Sequence, residues 1–186
     1  MDGLWAALRA GQWVKNVLLA APLVLSHQIG RWDLWAATAA SFALFSLAAS
    51  SVYLVNDVLD LGSDRHHPVK KKRPLAAGRI SVRASLTASA LLAAGVLAVS
   101  SVYLPAGFLL ALASYLVVAH FYSLLLKKLM LIDVFVLAVL YGLRVVAGGQ
   151  ATGIEVSYWL LALTVFLFVS LAFAKRCAEI RLQSGR

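Results

Sequence analysis

The sequence predicts an all-α fold, a polytopic transmembrane helical bundle of about six spans, and three observations carry that reading. Of the 186 residues, 62% are apolar and 13% charged, with a mean hydropathy of +0.85, a balance that no ordinary soluble domain shows. Several stretches of the length a bilayer core requires, about 20 residues, contain no Asp, Glu, Lys or Arg. The basic residues, 17 Lys and Arg against 8 Asp and Glu, collect in a few short segments instead of spreading evenly. The same figures exclude a disordered or collagen-like chain, and Cys177, the one cysteine, excludes a disulfide framework.

The first span is read over 14–29, short for a crossing and flanked by Arg9 and Lys15. It lacks a small-residue cleavage site and runs straight into further apolar segments, so it is expected to be an uncleaved start and not a signal peptide. Residues 34–55 supply the second span. The third and fourth, 84–104 and 105–126, meet at Leu104-Pro105, which reads as an external turn. The fifth, 129–148, carries Asp133 and Arg144 and is expected to end in a second external turn at Gly148-Gly149. Residues 156–174 form the sixth. Trp13, Trp32, Trp35 and Trp159 fall at the span ends and read as interfacial anchors.

Threading these spans alternately puts 1–15, 57–83, 127–128 and 175–186 on one side. Every Lys and Arg lies there except Arg31, in an opposite loop, and Arg144, within the fifth span. The asymmetry makes the basic face cytoplasmic. An integral protein of the cell inner membrane is therefore expected, with both termini and any active site facing the cytoplasm. No low-complexity tract or fixed-period repeat interrupts the pattern.

The residues that carry chemistry sit where the second span leaves the bilayer, in Asn56-Asp57-Val58-Leu59-Asp60-Leu61-Gly62-Ser63-Asp64. At 100° per residue, Asn56, Asp57, Asp60 and Asp64 fall within about a quarter turn of one helical face. Three carboxylates crowded there repel one another unless a cation intervenes, and hard oxygen ligands beside a phosphate suit Mg²⁺. Asp57, Asp60 and Asp64 are thus the candidate metal ligands and catalytic residues. A solvated helix end is the plain alternative, but it leaves unexplained why a dense basic loop follows at once. That loop, Arg65 to Arg79, offers Arg65, Lys70 and Arg73 as clamps for a polyanion bridged to the metal, with diphosphate the natural candidate. Lys71 and Lys72 read rather as topology or headgroup residues, and His66 and His67 as exposed or phosphate-bonding rather than metal-binding.

This stretch closely resembles the first acidic motif of the UbiA superfamily of intramembrane prenyltransferases, N-D-x-x-D-x-x-x-D followed by R-x-H-P-x-K-x-x-R-P. Here those positions are Asn56, Asp57, Asp60, Asp64, Arg65, His67, Pro68, Lys70, Arg73 and Pro74, with Ala77 and Gly78 beyond. Gln12 to Asn16, Tyr122-Ser123 with Leu126-Lys127, Asp133-Val134, Leu143-Arg144 with Ala147-Gly148, and Lys175-Arg176 with Ala178-Glu179 resemble the subgroup that makes decaprenylphosphoryl phosphoribose. The resemblance implies a helical bundle whose cavity opens to the cytoplasm and sideways to lipid. It also implies about nine helices in a complete member, so residues 1–186 are expected to form a single UbiA-like domain that is C-terminally incomplete.

Typical prenyltransferases of the family carry a second D-x-x-x-D motif after the sixth helix, where this chain has Lys175-Arg176-Cys177-Ala178-Glu179. That departure favours a more anionic donor, phosphoribosyl pyrophosphate, with Lys15, Lys127, Lys175 and Arg176 as additional phosphate contacts and Asn56 bonded within the site. The expected acceptor is a polyprenyl phosphate lipid such as decaprenyl phosphate, whose oxygen is already anionic and needs no strong base. Asp133, eleven residues from Arg144 and on the same helix face, is a candidate for a ribose hydroxyl. Arg144 reads equally as a snorkelling or a cavity-lining residue. His120 reads as a packing histidine, although with Asp133 and Glu179 it is one of three groups able to take a proton from an aromatic acceptor. Two rivals stay open: an ordinary prenyltransferase moving an isoprenyl group from a prenyl diphosphate to an aromatic acceptor, and a non-catalytic membrane scaffold or inactive fragment. No nucleic-acid partner is expected, and homo-oligomer formation is one way a six-helix chain completes its cavity.

Overall fold

The computed structural model describes residues 6–128 and 130–184, without the side chains of 128, 130, 131, 175, 176 and 179–184. All regular structure among the described residues is helical: α1 (Ala10–Leu25), α2 (Trp32–Leu59), the short α3 (Leu61–His66), α4 (Val82–Tyr103), α5 (Ala106–Leu124), α6 (Met130–Thr152) and α7 (Tyr158–Ser184). Helices α2, α4, α5 and α6 are long and apolar enough to cross a membrane; α1 and the Tyr158–Ala174 part of α7 are shorter apolar helices. These six correspond to the six expected spans.

The brevity of α1 has a geometric resolution. Its Ala10–Ala20 part is a 3₁₀ helix and only Ala21–Leu25 is α-helical. At about 2.0 Å per residue the first part rises roughly 22 Å, so the whole reaches about 30 Å, the thickness of a hydrocarbon core. Helix α4 starts at Ser81, whose Oγ accepts from the Ala84 amide at 3.1 Å. It stops at extended Leu104 because Pro105 disfavours helical geometry in the residue before it, and the expected turn at that joint is present.

Gly148-Gly149 is not the second turn. Helix α6 runs on through Thr152, and the reversal comes at Gly153, whose φ of +68° suits glycine. A Cβ on Gly148 would lie 2.0 Å from the Leu19 carbonyl oxygen. The glycine is there so that α6 and α1 can touch backbone to backbone.

Helix α2 is the hub, packed by α1, α4, α5 and α6, while α7 packs on α6 through Tyr141 and Phe168, stacked at 3.7 Å. Phe45, Phe108, Leu112, Leu19 and Ala48 lie in the fully buried core. A seam of buried hydroxyls runs along α2. Thr38, Ser41, Ser50 and Ser51 each donate to a carbonyl three or four residues back, and Ser89 of α4 donates across to the Ser51 carbonyl at 2.8 Å. Such small residues let neighbouring helices approach closely without leaving a polar group unpaired in hydrocarbon. Outward faces remain apolar, as at Leu91, Val102, Leu110 and Phe166, in the way lipid-facing helices require. Trp32 and Trp159 are exposed at helix ends, as interfacial anchors are. Trp13 is not: it docks on α2, its indole donating to Ser50 Oγ at 3.0 Å.

Candidate active site

Three basic segments far apart in sequence converge at one end of the bundle. Arg9 binds Asp57, Arg73 binds Asp64 and lies 3.4 Å from Asp57, and Lys127 donates to Asp60 Oδ1 at 2.5 Å and to Asn56 Oδ1 at 3.1 Å. Residues 9, 56–73 and 127 therefore share one face of the membrane protein, as the charge asymmetry requires.

The four acidic-motif residues divide into two sets. Asn56 and Asp60 face a cavity of about 400 Å³, joined to each other at 3.0 Å. Asp57 and Asp64 are buried, 4% and 2% exposed, and turn to Arg9 and Arg73. The helical register carries through the joint between α2 and α3, the amides of Asp60 and Asp64 bonding back to the carbonyls of Asn56 and Asp60 at 3.0 and 2.8 Å, so at about 100° per residue Asn56 falls beside Asp60 and Asp57 beside Asp64, on adjoining strips of one face. Among the described residues no three His, Cys, Asp or Glu side chains form a ready metal cluster, so the carboxylates do not meet as one triad; each has a cation instead. Burial draws the Arg9 pKa below its usual value, and Asp57 opposes that pull.

Hard oxygen donors of the kind Mg²⁺ prefers are nonetheless present. Asp64 Oδ1 is buried without a hydrogen-bond partner, and Asp60 stands at the cavity edge with its side chain 28% exposed. Mg²⁺ commonly takes one or two carboxylates and leaves its remaining positions to water and substrate phosphate, so a closed triad is not required. On donor chemistry the site fits the ion.

The cavity brings together most of the expected phosphate contacts: Lys15, Lys70, Arg73 and Lys127 line it beside Asn56 and Asp60. Arg65 does not; it is exposed on α3, away from the cavity lining. Asp133 is outside the lining and accepts from Tyr122 Oη at 2.6 Å, so it reaches the cavity through that phenol, which does line it. Lys175 and Arg176 lie outside the residues whose side chains are described. Lys71 and Lys72 are exposed. His67 holds the basic loop, its Nδ1 accepting from the amides of Val69 and Lys70 at 3.1 and 3.2 Å. His120 packs as expected, donating to the Leu116 carbonyl at 2.7 Å.

Sequence reasoning missed Arg9 and the aromatic wall: Tyr53, Tyr115, Tyr141 and Arg9 line the cavity, and Arg144 joins them, as the cavity-lining half of its reading expects. Arg144 does not snorkel: it is 5% exposed and held among Phe45, Tyr115 and Tyr141. Its signal was available, since an ionisable residue within a span faces the protein interior by default.

The model of the UbiA prenyltransferase family matches residues 16–181. The decaprenyl-phosphate phosphoribosyltransferase of Mycolicibacterium smegmatis is 37% identical over 98% of this chain and 58% of its own length. Protein y4nM of Sinorhizobium fredii is 39% identical over 92% of the chain and 33% of its own length. The chain thus spans about a third to a little over half of these curated relatives. A UbiA homolog from Archaeoglobus fulgidus, solved with GPP and Mg²⁺, shares the fold with a TM-score of 0.75 at 21% identity, over 98% of this chain and 65% of that one.

Proposed function

The chain belongs to the UbiA prenyltransferase family, and from that premise we propose that it moves a phosphoribosyl group from phosphoribosyl pyrophosphate to a polyprenyl phosphate such as decaprenyl phosphate, for cell-envelope polysaccharide precursor synthesis. The observation that carries the reading is the cavity itself. Arg9, Lys15, Lys70, Arg73, Lys127 and Arg144 line one chamber in which Asp60 is the acid of the lining, more positive charge than a single diphosphate calls for. The named activity of the Mycolicibacterium relative supports the same substrates.

In this reading the basic residues grip the diphosphate and stabilise the charge that grows on it as the anomeric C1–O bond breaks. Asp60 and Asp64, with Asp57, are the residues that would hold Mg²⁺, which when bound neutralises the diphosphate and makes it a better leaving group. Asn56 and Lys127 orient Asp60 through their mutual hydrogen bonds. Tyr122, tied to Asp133, presents a phenol to the sugar. The apolar lining, Val52, Leu137 and Leu140, excludes the water that would hydrolyse the donor. The acceptor phosphate attacks C1 as an anion, so none of these groups has to take its proton. The site faces the cytoplasm, where a soluble sugar phosphate is available.

The aromatic inner wall favours a second reading, transfer of an isoprenyl group to an aromatic acceptor, and the GPP in the Archaeoglobus structure is consistent with it. The test is Mg²⁺-dependent transfer of label from phosphoribosyl pyrophosphate into a lipid-extractable product, run beside labelled geranyl diphosphate with an aromatic acid. Label from the sugar donor alone is expected. Turnover of the prenyl donor alone establishes the second reading, and no turnover of either leaves the scaffold.

A further inference from the structure

Arg144 carries a charge that the protein does not answer. Its Nε donates to Asn16 Oδ1 at 2.9 Å, Nη1 to the Leu140 carbonyl at 2.5 Å and Nη2 to Tyr115 Oη at 3.3 Å. All three acceptors are neutral. The rings of Tyr115, Tyr141 and Phe45, with centroids 4.9, 5.2 and 5.6 Å from Cζ, attract the cation only through their π faces. Among the described residues the ion pairs join Arg9, Arg31, Arg73 and Lys127 to carboxylates, and none reaches Arg144. Buried charges are ordinarily paired.

A guanidinium has five N–H donors, and three are engaged here, so each terminal nitrogen keeps one. Two parallel donors are the fork that grips a phosphate. Asn16 fixes the fork in place, its own amide nitrogen donating to Ser46 Oγ at 2.9 Å. Arg144 lines the cavity whose other end holds Asp60 and Lys127. Tyr115 and Ser123, both in the lining, are eight residues apart on α5, so the chamber runs about 12 Å along that helix. One anion held at the mouth cannot also lie against Arg144.

We propose that Arg144, oriented by Asn16, seats a phosphate monoester at the inner end of the cavity, a second anion site separate from the diphosphate clamp. The source of that monoester rests on the transferase reading above. The 5-phosphate of the sugar donor and the phosphate of the lipid acceptor offer the same chemistry.

Equilibrium binding to the purified chain in lipid nanodiscs separates the two, with ribose 5-phosphate, dodecyl phosphate and Mg²⁺-pyrophosphate as probes. One of the two monoesters is expected to bind wild type, and which one identifies the source. Arg144→Gln and Asn16→Asp are each expected to weaken it at least tenfold while pyrophosphate binds unchanged. The second variant keeps the arginine but sets a carboxylate against Nε, so it supplies the missing counter-charge from within. Pyrophosphate binding reports that a variant is folded, and where Arg144→Gln fails that check Asn16→Asp decides. Monoester binding at wild-type strength in a folded variant, or none in wild type, overturns the proposal. Arg144-dependent monoester binding without any pyrophosphate binding instead sinks the transferase reading and leaves this site standing.

Discussion

Replacing Arg73 by Gln withdraws the one cation shared by two buried carboxylates. Asp64 then loses its ion-pair partner, and its other oxygen already has none; Asp57 keeps Arg9. Removing one member of a buried pair costs about 3–5 kcal/mol. The Arg73 side chain is 25% exposed, so water screens part of the interaction and about 2–3 kcal/mol is the better figure. For a chain of this size that lowers Tm by about 5–10 °C, measured by thermal unfolding in detergent. Adding Asp64→Asn to Arg73→Gln should recover more than half of the loss, because the uncompensated charge is gone and the two changes are not additive. Mg²⁺ should raise the Tm of Arg73→Gln more than that of wild type, since it then faces no competing guanidinium. A Tm within 1 °C of wild type for Arg73→Gln would refute the assignment of Arg73 as the counter-ion.

Lys127→Met should cut kcat/KM for Mg²⁺-dependent transfer by about 10–100-fold, the worth of a lost charged hydrogen bond, with little change in Tm because Asp60 retains Asn56. Arg65→Ala should leave the same rate within twofold, since Arg65 is outside the cavity lining, whereas Lys70→Ala should raise KM for the donor. Gly148→Leu should destabilise the bundle by more than about 2 kcal/mol, read as a lower Tm, because a side chain there meets the Leu19 backbone and not a flexible neighbour.

The spans were legible because the bilayer imposes one length and one polarity on every crossing, and α2, α4, α5 and α6 satisfy both. Elements that satisfy the bilayer another way were harder to read. The 3₁₀ part of α1 trades residues for rise, which composition does not encode. Gly148 shows a deeper ambiguity, for a glycine that turns the chain and a glycine that admits a neighbouring backbone look alike in sequence. The motif around Asp57 pointed to the end of the bundle where the basic segments and the cavity meet. A single-helix wheel read as one cluster what are two adjoining strips, Asn56 with Asp60 and Asp57 with Asp64, whose acids are taken by different cations. Arg9's role and Arg144's partner escaped notice for a tertiary reason: Asp57 is 48 residues from Arg9, and Asn16 is 128 from Arg144. Only folding brings them together.

The hydroxyl seam along α2 divides labour within the molecule. Locked to its own carbonyls and clasped by α4 through Ser89, that helix is a stiff mast with Asn56 and Asp57 at its tip. The strand of chain beyond it, from His67 to Gly78, is tied mainly by its own short turns and by Arg73. Adaptation to an arriving guest therefore falls on the rigging and not on the mast.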